Sequence, residues 1–177
     1  MKKMIVLIII FITIFISFKN KETESIIPDS AIRFRVIANS NTVYDQNTKI
    51  QVRNTIQNYL LKIIKDTKNI DDVRKQIKSH EKEIYELTKN ILSDIGYDKD
   101  FKIHYGLNYF PKKKYKGLTY KEGNYESLVI TLGKGNGDNF WCVLFPPLCL
   151  IEDNSETDEV EYKFYIKEII DKYILKK

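Results

Sequence analysis

"YESLVITLGKGNGDNFWCVLF", Tyr125 to Phe145, decides the fold, because everything turns on how its two halves are joined. "YESLVITLG" reads as a strand and "NFWCVLF" as another. The glycines between them, Gly133, Gly135 and Gly137, invite a phosphate-loop reading that the residues refuse. A Walker loop needs GxxxxGK followed by Ser or Thr, and no such string occurs. A dinucleotide fingerprint needs its third glycine where Asp138 stands, with a helix following, and "NFWCVLF" is β-like. Gly135, Asn136 and Gly137 tolerate positive φ, as tight connections demand, so the stretch is expected to be a hairpin. Alternation puts Phe140, Cys142 and Leu144 on one face of the second strand and Trp141, Val143 and Phe145 on the other. Both faces are apolar, which suits a central strand or one half-covered by a partner. Pro146 and Pro147 end the pairing, since neither has an N–H to donate.

Upstream, "AIRFRVIAN" alternates Ile32, Phe34 and Val36 against Arg33 and Arg35, a strand with one buried face. "SNTVYDQ" breaks the chain, and Asn41 or Asp45 is suited to cap the next helix. In that helix Val52, Ile56, Tyr59, Leu60, Ile63 and Ile64 recur at helical steps over about 45–65. A second helix is expected from Asn69–Asp71 through Val73, Ile77, Ile84, Leu87, Ile91 and Ile95 to a stop at Gly96. "FKIHYGLNYF" returns to period two, with Phe101, Ile103, Tyr105, Leu107 and Tyr109 on one face and His104 on the other. "PKKKYKGLTYKEGN" reads as a loop. "DEVEYKFYIKEIIDKYILKK" closes the chain at helical spacing. The expectation is a single α+β domain over 26–177: an antiparallel or mixed sheet, a two-helix insertion after the first strand, and a C-terminal helix.

Composition narrows the function. The 177 residues are 43% hydrophobic and 30% charged, with a net charge of +5, which describes one globular domain. Outside "KKKYK" (Lys112–Lys116) the basic residues are scattered among acids, so no nucleic-acid partner is expected. Residues 1–25 carry Lys2 and Lys3 ahead of an apolar run from Met4 to Phe18. Fifteen helical residues rise about 22 Å, short of a hydrocarbon core of roughly 30 Å. That length suits a signal peptide. Missing small residues at a cleavage site, and Lys19 and Lys21 just past the run, equally suit an uncleaved N-terminal membrane anchor. Either reading exports the rest of the chain and brings it to the membrane at least transiently.

Chemistry is sparse. No metal site is expected, since two cysteines seven apart lack the usual ligand spacing. Cys142 and Cys149 are read as a disulfide, which export permits, or as buried thiols. A cysteine hydrolase using Cys142 and His104 is the enzymatic alternative, although no glycine or helix start follows Cys142 to build an oxyanion hole. Neither a cofactor nor a small-molecule substrate is indicated.

Two segments, "IRFRVIANSNTVYDQNTKIQVRN" and "GNYESLVITLGKGNGDNFWCVLFPPLC", together resemble the signature regions of the stage II sporulation protein R family, and "YFPKKKYKG" resembles that family's connector. The chain departs from it at Phe140, where a second tryptophan is common, and at Asn41 and Lys121, which fall in turns. The resemblance implies a non-enzymatic messenger exported into the space between forespore and mother-cell membranes. It implies a partner as well, the extracytoplasmic face of a membrane-embedded sporulation aspartic protease that processes the pro-sigma-E precursor. On that reading the contact surface is expected to join the end of the "RFRVIANSN" strand to the Trp141–Cys149 segment, through Arg33, Arg35, Asn39, Ser40, Trp141 and Phe145.

Overall fold

The computed structural model describes residues 30–115 and 118–148, together with residues 28, 168, 169 and 172. The leader, Cys149 and nearly all of the expected C-terminal helix lie outside the described residues.

Strand β1 (Ile32–Ile37) leads into helix α1 (Val43–Ile64), followed by α2 (Ile70–Ser79) and α3 (Glu81–Asp94). Then come β2 (Phe101–Phe110), the short strands β3 (Lys113–Tyr115) and β4 (Leu118–Tyr120), β5 (Gly123–Leu132) and β6 (Asn139–Phe145). The main sheet has the order β2-β5-β1-β6. β1 runs parallel to β5 and antiparallel to β6, and β2 is antiparallel to β5. This is the expected α+β class with a mixed sheet.

The expected hairpin does not form. β5 and β6 are not neighbours, because β1 lies between them. The glycine stretch is instead a bridge over the end of β1. The connector, read as a loop, pairs with itself as the two-stranded ribbon β3–β4.

α1 buries Val52, Ile56, Leu60 and Ile64 along one stripe, with Tyr59 and Ile63 at its margins. Its N-cap is Thr42, whose hydroxyl accepts from the Asp45 amide at 3.3 Å, not Asn41 or Asp45. The single helix expected after Asn69 is two. Asn69 caps α2 by accepting from the Asp72 amide, and the helix ends at His80, whose backbone leaves helical geometry (φ −110°, ψ 14°). Between Ile77 and Ile84 the chain offers Lys78, Ser79, His80, Glu81, Lys82 and Glu83, so no apolar side chain holds the intervening turn to the core. α3 ends as Gly96 predicts: at φ 66° its N–H bonds Ser93 O while the Tyr97 N–H bonds Leu92 O, the Schellman pattern.

The three helices cover one face of the sheet, meeting Ile32, Phe34 and Val36 of β1, Leu128, Ile130 and Leu132 of β5, and Cys142, Leu144 and Phe145 of β6. At the margin of this layer Arg74 of α2 donates to both Glu126 oxygens at 2.8–3.0 Å, and the Tyr105 hydroxyl donates to Glu126 Oε1 at 2.7 Å. Burial pushes the Glu126 carboxyl up, but these hydrogen bonds outweigh it and hold the group below its ordinary range.

Ile130 is fully buried on β5, between β1 and β2 and beneath the helices. Truncation to alanine is expected to cost about 2–5 kcal/mol in urea unfolding, because the close-packed surroundings cannot collapse into the gap.

Candidate partner-binding site

The face of the sheet away from the helices carries the two arginines of β1. Arg35 lies level with Trp141 on one side and with Val129 and then His104 on the other. Arg33 lies level with Val143 and Ser127. This face is not the solvated one that alternation alone suggests, for Arg33 is only 5% exposed.

What shields it is the far end of the β2–β5 ribbon. Phe110 pairs level with Gly123, six positions along β5 from Val129, yet its ring centroid is 4.9 Å from that of Trp141. A flat sheet would hold them far apart, so the ribbon curls over the arginine face. Gly106 and Ser127 sit at the bend, where Asn108 Nδ2 donates to Gly106 O, Ser127 O and Ser127 Oγ. The curl corrects the expected face of β2. Phe101, Ile103 and Tyr105 do pack against the helical core, but Leu107 and Tyr109 lie on the convex side, 72% and 58% exposed. Phe110 and Tyr125 are buried on the inside.

Inside the curl, cations and rings alternate. The Arg33 guanidinium carbon is 3.4 Å from the Tyr125 centroid and 5.3 Å from that of Phe110. Arg35 follows, 5.7 Å from Phe110 and 4.2 Å from Trp141, and Lys113 Nζ stands 5.4 Å from the same indole. Each contact contributes about 0.5–2 kcal/mol, more as water is excluded. Burial pulls the Arg35 guanidinium below its ordinary value, though an arginine remains charged throughout the physiological range.

Asn39 and Ser40 belong to a clamp at the end of β1. Asn39 Nδ2 and Ser40 Oγ both donate to Asp45 Oδ2, at 2.8 and 2.5 Å, while Lys99 Nζ stands 3.6 Å from Oδ1. Asp45 is 3% exposed. Burial raises its pKa, but the Ser40 and Asn39 hydrogen bonds and Lys99 lower it by more. The clamp also carries the glycine bridge. Gly137 N–H donates to Ala38 O, Asn136 N–H to Asn39 O, Lys134 N–H to Asn39 Oδ1 and Asp138 N–H to Asn41 Oδ1, at 2.7–3.0 Å. The bridge lies so close that a Cβ at Gly133, whose φ is 54°, would overlap Asn39, and one at Gly137 would overlap the Ser40 carbonyl.

The proposed contacts thus divide. Arg33, Arg35 and Trp141 share one face, and Asn39 and Ser40 form its supporting corner. Phe145 departs from them: a bulge opposite Ile32–Arg33 pairs it with Ile32 and turns it into the helical core, 5% exposed. Cys142 is buried on that helical side and disulfide-bonded. His104 lies three strands away on the other edge, about 14 Å at ordinary strand spacing, and bonds Asn108 Oδ1. The structure does not bring Cys142 and His104 together. Phe110, Tyr125 and Lys113 escaped the sequence reading because only the curl of β2 and β5 brings them to Arg33 and Arg35. The lysine run at 112–116 was the one available signal.

A family model described as stage II sporulation protein R matches residues 28–155, which span β1 to β6 and every residue of the ladder and clamp. Among curated proteins, the stage II sporulation protein R of Bacillus subtilis (strain 168) is 37% identical over 134 residues, 76% of this chain. The chain spans 60% of the length of that relative. No solved structure matches.

The clamp is testable by unfolding. Asn39→Ala removes the acceptor of the Lys134 amide and a donor to Asp45, an expected loss of about 1–3 kcal/mol. Gly137→Ala is expected to cost more, since backbone must move to admit the methyl group. Asp45 and Glu126 both have lowered pKa values, so their contribution is complete above the ordinary carboxylate range and disappears as pH falls through the folded values. The urea midpoint should therefore drop between about pH 5 and pH 3, and Asp45→Asn should flatten that drop.

Proposed function

Since this chain belongs to the stage II sporulation protein R family, we propose that it is an exported sporulation signal that activates a membrane-embedded aspartic protease. That protease would process the pro-sigma-E precursor, and the chain itself would carry out no catalysis. The observation that carries this reading is the family match across the whole arginine–aromatic face. Activation works by differential affinity: the face binds the active arrangement of the protease better than the inactive one. A rigid surface suits that task, because little ordering entropy is spent on binding.

The enzymatic alternative is disfavoured by the separation of His104 from Cys142 and by the engagement of the Cys142 sulfur. No helix among the described residues is long and apolar enough to cross a membrane, so the membrane role in this proposal belongs to residues 1–25. Cleaved or retained, that segment would deliver the domain to the space between the forespore and mother-cell membranes.

Co-expression with the protease and its precursor in a non-sporulating host tests the reading. The wild-type chain should trigger precursor cleavage. Trp141→Ala, checked for a retained cooperative melt, should reduce cleavage by roughly tenfold or more, as expected when a central aromatic anchor is lost. Full cleavage by a folded Trp141→Ala chain would remove this face from the mechanism. His104→Ala should leave cleavage unchanged, whereas a Cys142–His104 hydrolase would lose all activity.

A further inference from the structure

Four cations converge on the start of β6 from both sides of the sheet. Arg35 and Lys113 reach Trp141 on one face, while Lys49 and Arg53 approach from α1 on the other, Arg53 standing 4.9 Å from the Phe140 ring. They feel one another: after burial and the opposing pull of Asp138, the charges of Arg53 and Lys113 depress Lys49.

Among the described residues none of the four makes an ion pair. Lys49 Nζ donates to Gln46 Oε1 and Asp138 O, and Arg53 Nε to Asn54 Oδ1, all neutral acceptors. Arg35 makes one long hydrogen bond, Nη1 to Tyr109 O at 3.4 Å, and its buried Nε has no acceptor. Beside it, on the same face of β6 and two residues before Trp141, the buried Asn139 Oδ1 has no donor. Buried charges and polar atoms are ordinarily matched within the molecule. Here a guanidinium with one long hydrogen bond, three further cations without an anionic partner and an orphan acceptor surround the start of β6.

We infer that this corner of the arginine face is a receptor for a protein segment bearing a carboxylate side chain, with Arg35 as its principal donor. Trp141 at 4.2 Å and Phe110 at 5.7 Å hold the guanidinium on this face, and a planar guanidinium is the donor that a carboxylate accepts in bidentate fashion. Lys113 on the same face, and Arg53 from the other side of the sheet, add to the positive field. Asn139 Oδ1 is placed to accept a backbone N–H from the same segment. That acceptor favours a peptide over a lipid surface. So does the half-buried position of Arg35, since a flat headgroup layer reads protruding charges whereas a side-chain carboxylate can enter a recess. The inference deepens the proposed function and rests on it only for the identity of the partner.

The chain contains one tryptophan, so its emission reports on this corner alone. The full chain is titrated with an acetylated, amidated peptide of alternating Glu and Thr, and in parallel with its Gln/Thr counterpart. A saturable change in Trp141 emission is expected with the Glu peptide only, weakening as salt is raised. Arg35→Gln should raise the half-saturation concentration roughly tenfold or more. Arg35→Lys, which keeps the charge but loses the fork, should fall between, and each variant is accepted only with a wild-type melt. An equal response to the Gln peptide, or a response that survives Arg35→Gln, overturns the proposal. Phosphatidylglycerol vesicles form the last arm, and a response to vesicles with none to the peptide overturns it in favour of a lipid surface. Because this assay contains no protease, its failure is distinguishable from failure of the functional reading, which would appear as absent precursor cleavage despite a working peptide site.

Discussion

The position of β1 between β5 and β6 is the constraint on which the rest of the molecule depends. A six-residue strand with partners on both edges, buried at every position but Arg35 and Ile37, which are half-buried, has little exposed surface to tolerate a polar mistake. Its alternation then has two consequences. Ile32, Phe34 and Val36 fix the helical layer on one side, while Arg33 and Arg35 place two charges where a protein would normally place valines. Everything on the second face can be understood as the means of accommodating those charges.

The means is aromatic. Tyr125, Phe110 and Trp141 give the two guanidiniums a polarisable surface in place of water. This solution favours arginine over lysine, because a flat delocalised cation can lie over one ring, Tyr125 for Arg33 and Trp141 for Arg35, while Phe110 stands at its side. It also demands that β2 and β5 curl, since Phe110 must travel over the sheet to reach Trp141. Gly106 and Asn108 at the bend are thus coupled to Arg35 although they lie on another strand.

The same dependence decides what the sequence discloses. Local patterns were legible: the period-two runs of β1, β5 and β6, the stripe of α1, the Asn69 cap and the Gly96 stop each arise from contacts within a few residues. Pairing was not. Two strands joined by "GKGNG" look like a hairpin because nothing in those residues records that a strand from far earlier in the chain lies between them. The demand for glycine comes from Asn39 and Ser40, against which the bridge is pressed, and that cause is non-local. Likewise Leu107 and Tyr109 obey the alternation of β2 but emerge into solvent, because the ribbon bends away beneath them. The site obeyed the same rule. Arg33, Arg35 and Trp141 could be named from two segments that share a face, whereas Phe110 and Tyr125 required knowledge of the curl, and a single bulge moved Phe145 from that face into the core.

Asp45 connects these levels. Its carboxylate receives Asn39 and Ser40 from the end of β1, its amide is capped by Thr42 at the start of α1, and Lys99 just before β2 faces its other oxygen. Through Asn39 the same group holds the bridge that leads into β6. The Arg35 guanidinium, for its part, is positioned by its own strand between β5 and β6 and by rings from β2 and β6. Such a donor cannot adapt to a poorly placed anion, and this converts electrostatic attraction into selectivity. On the inference drawn above, an acidic segment that presents its carboxylate at the right depth and angle is held more tightly than one that merely carries negative charge.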